Sequence, residues 1–72
     1  MEKKLVFFDV VYSDGKLVNY EYHFDDRSLY RVRDSILLKM FPCTYKRAFD
    51  SVMAFSSVAS QIVEHVVYFN KS

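Results

Sequence analysis

Asp9, Glu21 and His23 of this 72-residue chain fall on one face of the expected N-terminal hairpin and are its candidates for acid–base chemistry. A carboxylate beside an imidazole is the minimum for general acid–base work. The plain alternative is the polar, solvent-facing side of a hairpin. No Gly-rich loop, nucleophile elbow or motif-placed second carboxylate accompanies them, so we expect no enzyme. Cys43 stands just before a possible helix start, where the helix dipole can lower a thiol pKa, and His23 or His65 could partner it. Free cysteines are more often small buried hydrophobes. Cys43, His23 and His65 lack the close Cys/His pairs of structural zinc sites, so no metal and no cofactor is expected.

The third constellation is basic: Arg27, Arg31, Arg33, Lys39, Lys46 and Arg47, with Tyr30 and Tyr45 nearby. Guanidinium groups suit phosphate contacts and tyrosines can stack on bases. Arg27, Arg31, Lys46 and Arg47 are the expected contacts if the partner is nucleic acid. Asp34 and Asp50 interrupt the patch, and a net charge of +1 is low for a dedicated nucleic-acid binder. Charge is nevertheless uneven. Residues 1–26 hold Lys3, Lys4 and Lys16 against Glu2, Asp9, Asp14, Glu21, Asp25 and Asp26, whereas the remainder is basic.

These residues must be positioned by a small domain. Its 51% hydrophobic content excludes a disordered chain, and its single Gly and single Pro argue against long linkers. A lone cysteine excludes an internal disulfide and fits a reducing, cytoplasmic compartment. The apolar run after Met-Glu-Lys-Lys is broken by Asp9 and is too short for a signal peptide, and no segment approaches the roughly 20 apolar residues of a membrane span. Domains this small often need a staple, and oligomerisation is the one left available.

Residues 4–24 read as a β-hairpin turning at Asp14-Gly15. A two-residue turn would put Asp9 in the middle of the apolar face. A three-residue loop with Gly15 as a bulge pairs Tyr12 with Lys16 and gathers Val6, Phe8, Val10, Val18, Tyr20, Tyr22 and Phe24 without a charge among them. Burying an unpaired carboxylate is expensive, so the bulged register is preferred. It leaves Leu5, Phe7 and Val11 on the face that carries Asp9 and Glu21. A strand apolar on both sides needs cover on both, from a third strand, a helix or another subunit.

Leu29, Val32, Ile36, Leu37 and Met40 draw a helical stripe, which predicts a helix over 27–41 closed by Pro42. Thr44 is an N-cap candidate for a second helix over 44–66, with its stripe on Tyr45, Ala48, Phe49, Val52, Phe55, Ala59, Ile62, Val63 and Val66. At 1.5 Å per residue that helix would span about 35 Å. The β-prone run Val66-Val67-Tyr68-Phe69 leaves open a third strand over 62–69 beside the first. The expectation is therefore a single α+β domain, 1–72, of order ββαα, with ββααβ as the alternative.

Elimination then favours a non-enzymatic protein-interaction module, an inhibitor, adaptor or regulator, acting as a homodimer. Tyrosine and arginine are enriched at interface hot spots, and the expected interface is Leu5, Phe7, Val11, Tyr30 and Arg31. A nucleic-acid-binding regulator is the runner-up.

Overall fold

The computed structural model describes residues 2–70; residues 1, 71 and 72 of the expected domain lie outside them. In chain order the elements are β1 (Glu2–Val11), β2 (Leu17–His23), β3 (Ser28–Arg33), β4 (Ile36–Pro42), α1 (Tyr45–Phe55) and β5 (Gln61–Asn70). All five strands form one antiparallel sheet of order β4-β3-β2-β1-β5.

The first hairpin has the bulged register. Val6, Phe8 and Val10 oppose Tyr22, Tyr20 and Val18. The Tyr12 N–H donates to the Lys16 carbonyl at 2.9 Å, and the Gly15 N–H to the Tyr12 carbonyl at 2.9 Å. Gly15 sits at φ 87°, a conformation that costs glycine nothing. The Asp14 carboxylate accepts the Lys16 N–H at 3.0 Å and stiffens the loop.

The expected helix over 27–41 is not there; the segment is a second hairpin, β3–β4. Arg27, Asp34 and Ser35 have φ of 50°, 52° and 64°, which no right-handed helix accommodates. Asp34 and Ser35 are the two central residues between the paired Arg33 and Ile36, with positive φ at both, as a type I′ turn requires. The apparent stripe is divided. Leu29 is buried opposite Tyr22, while Val32 opposes Asn19 on the other face. Pairing with β3 also satisfies the second edge of β2, whose backbone groups a helix would have left open. Leu29 pairs with Phe41 and Tyr30 with Lys39, so Met40 is the extra residue of a β-bulge.

The expected helix over 44–66 is shorter. Thr44 caps it, its Oγ1 accepting the Arg47 N–H at 3.3 Å. It ends at Phe55, with Ser56 as C-cap. The chain then turns, the Ser60 N–H donates to the Val11 carbonyl at 2.8 Å, and β5 runs back along β1 from Gln61↔Val11 to Glu2↔Asn70. The observed order is thus ββββαβ rather than ββαα. The strand beside β1 that ββααβ allows does form, but the first helix, which both expected orders contain, is replaced by β3 and β4.

Helix α1 lies on one face of the sheet only. Ala48 and Val52 bury against Val6, Phe8, Val10, Val18, Tyr20, Tyr22 and Leu29. Aromatic rings fill the seam: Phe8 lies 6.5 Å from Tyr45 and 6.2 Å from Phe49, and Phe24 lies 4.8 Å from Tyr22. The Tyr22 hydroxyl donates to the Cys43 carbonyl at 2.7 Å, so the buried ring keeps a polar partner.

Candidate protein interface

Side chains directly opposed across antiparallel strands share a face. That rule assembles the surface opposite α1. Leu5 lies between His23 and Val67, Phe7 between Glu21 and His65, Asp9 between Asn19 and Val63, and Val11 between Leu17 and Gln61. Tyr30 and Val32 extend the rows beside Glu21 and Asn19, and Leu37 follows beside Val32. Among the described residues no element lies over this face. Leu5, Phe7 and Val11 are half-buried by their lateral neighbours, because β5 flanks β1 without covering it.

Polar groups interrupt the apolar rows in two networks. The Asn19 amide donates to one Asp9 oxygen at 2.6 Å, and the other lies 3.4 Å from His65 Nε2. Glu21 meets His23 Nε2 at 3.1 Å, and the His23 ring lies 4.3 Å from the Tyr30 ring. The Tyr30 hydroxyl donates to Asp26, which also lies 3.8 Å from Lys39 Nζ. That bond to Asp26 raises the Tyr30 pKa. Asp9, Glu21 and His23 do share a face, as expected, but Asp9 pairs with His65 and Glu21 with His23, on a flat sheet surface.

His23, Asp25 and Asp26 could offer one ligand atom each to a cation, all within 4.8 Å of one another; both aspartates are exposed. Cys43 is half-buried, and burial raises its thiol pKa, opposite to the shift an activated cysteine needs.

The expected interface set is divided by the sheet. Leu5, Phe7, Val11 and Tyr30 share the uncovered face. Arg31 opposes Tyr20 and therefore points to the helix side. The expected nucleic-acid set is divided too. The Arg27 carbonyl accepts the Cys43 N–H at 2.9 Å, and Lys46 and Arg47 follow in the first turn of α1, so these three gather at that end of the helix. Arg31 instead lies in a groove with Phe55, the last helical residue.

Two features were missed in the sequence. One is that groove, lined also by Val18, Tyr20, Met40 and Val58, which come from three distant segments; no spacing signals it. The other is the contrast between the sheet edges. The β4 edge carries a bulge, Lys39 and Pro42, devices that discourage strand addition. The β5 edge runs ten residues in unbroken register with no proline and no lysine, and Val66 and Tyr68 are exposed along it. No helix among the described residues is long and apolar enough to cross a membrane. In comparison with known proteins, the chain matches no family model, and no curated protein or solved structure is significantly similar to it.

Proposed function

We propose that this chain is a non-enzymatic protein-interaction module, an inhibitor, adaptor or regulator of a larger protein, that works as a homodimer in a reducing, cytoplasmic compartment. The observation that carries the reading is the uncovered sheet face, where Leu5, Phe7, Val11, Val63 and Val67 are interleaved with polar pairs, a more apolar surface than the strict polar alternation of a solvated antiparallel sheet. Apolar rows with a tyrosine and charged pairs among them have the make-up of a docking surface. The β5 edge offers the homodimer seam. A second copy pairing antiparallel through Val66↔Val66 would set His65 against Val67 and Glu64 against Tyr68, with no like charges opposed. The two uncovered faces would then merge into one.

Light scattering across a wide concentration range tests the seam. The wild type should approach twice the chain mass and Val66→Lys should stay monomeric; a wild type that remains monomeric throughout removes the dimer. Phe7→Asp should leave that mass unchanged and lose the partner captured by wild-type bait from the native cell. Equal capture by both baits removes the face.

A further inference from the structure

We propose that the groove between the end of α1 and the β3–β4 hairpin binds an amphipathic carboxylate, its head group on Arg31 and its chain on Met40, Phe55 and Val58. This site lies on the helix side of the sheet, away from Phe7, and stands independently of the docking face.

Arg31 carries the inference. Its Nε is shielded from water and has no hydrogen-bond partner. Among the described residues no carboxylate pairs with it. Guanidinium N–H groups taken out of water are costly unless an acceptor meets them, and a carboxylate is the acceptor that fits their planar fork. The inner face of β3 places this group on the groove floor, beside Val18 and Tyr20. Burial raises the Tyr20 pKa, with Arg31 opposing, so its phenol is a neutral donor at neutral pH.

The walls supply the second half of the ligand. Met40 is 38% exposed, Phe55 48% and Val58 81%, an apolar rim that no element among the described residues covers. Met40 reaches it from the β4 bulge, and Phe55 and Val58 from the last turn of the helix and the residues after it. The groove measures ≈ 790 Å³, within the range that holds one small ligand. Lys16 and Asp14 also line it and offset each other's charge, leaving the single charge of Arg31. That balance suits a monoanion better than a phosphate dianion.

The test uses the full chain and decanoate below its micelle concentration, followed residue by residue by NMR. Saturable shifts confined to the groove are expected at Val18, Tyr20, Arg31, Met40, Phe55 and Val58. Arg31→Gln should keep the dispersed spectrum of the fold and weaken decanoate by about tenfold or more. Val58→Asp, at an exposed position, should weaken it as well by placing a negative charge on the rim. Decanol should bind about tenfold more weakly than decanoate and be indifferent to Arg31→Gln. Shifts that never saturate, or that spread over the Phe7 face, would overturn the site. Equal affinity for decanol, or unchanged affinity in Arg31→Gln, would overturn the role of the charge. Acetyl-Leu-Glu-Leu-amide shifting these residues where decanoate does not would give the groove to a peptide and overturn the small ligand.

Discussion

Phe7 and Phe8 are adjacent in β1 and differ only in the face they enter, so truncating each in turn reads the architecture directly. Phe8 is 0% exposed, with Tyr45 and Phe49 against its ring. Removing a ring from such a site costs about 3–5 kcal/mol, transfer and cavity terms together. A chain of this size holds roughly 4–11 kcal/mol of stability at 0.05–0.15 kcal/mol per residue, so Phe8→Ala should lose close to half of it. Phe7 is half-buried by lateral contacts on a face that water reaches. Full burial of a phenylalanine is worth about 1.5–3 kcal/mol. Phe7→Ala opens no closed cavity, so it should cost about 1–2 kcal/mol. Urea unfolding followed by circular dichroism gives both values in one experiment. A Phe8→Ala chain that never folds beside a Phe7→Ala chain that does carries the same meaning as the expected difference. Equal losses, or a larger loss at Phe7, would refute the assignment of faces, because a one-residue slip of β1 exchanges the two rings.

The β3–β4 turn holds two non-glycine residues at positive φ, so Asp34→Asn with Ser35→Gly should stabilise the chain by about 1 kcal/mol, raising Tm by roughly 4–8 °C; a lowered Tm would contradict the turn. Thr44→Ala removes the cap of α1 and should cost about 1 kcal/mol in the same urea assay, with Thr44→Ser close to wild type. Tyr45, half-buried and donating its hydroxyl to Glu64, has its pKa pushed up to about 12 from 10.0, with burial the larger cause. A raised pKa means the unfolded chain ionises first, so this contribution is intact below pH 10 and is lost between pH 10 and about 12. Burial raises Tyr20, Tyr22 and Cys43 in the same direction. Urea midpoints measured at steps from pH 8 to 12 should fall in that window, and less steeply in Tyr45→Phe; parallel curves would contradict the linkage.

The first hairpin was legible because two signals agreed: Asp14-Gly15 marked the turn, and the cost of burying Asp9 chose the register. Thr44 and the spacing of Ala48 and Val52 placed the start of α1 equally well. The β3–β4 hairpin was hidden because its turn has no glycine. Its spacing also satisfies a helical period, and a strand with Arg31 on the core side breaks the alternation that would betray it. That same misreading put Tyr30 and Arg31 on one surface, whereas neighbours in a strand point oppositely. In β5 the pair Glu64-His65 argued for a helix. At a sheet edge, however, Glu64 can face the helix side and accept the Tyr45 hydroxyl while His65 reaches Asp9 on the other. Neither contact leaves a trace in sequence spacing. The edge strand's length and the Arg31 groove emerge only from elements brought together across the chain.

Pairing of the first strand with the last has a consequence for how the molecule assembles. Strands β1 to β4 are joined by short turns and can zip in sequence, each pairing closing a small loop. Strand β5 must instead return to a partner near the opposite end of the polypeptide, from Gln61↔Val11 out to Glu2↔Asn70. A nascent chain would carry β1 with one side unclaimed until β5 had emerged. The long-range closure of β5 onto β1, rather than the local zipping of the turns, is therefore the step that completes the sheet.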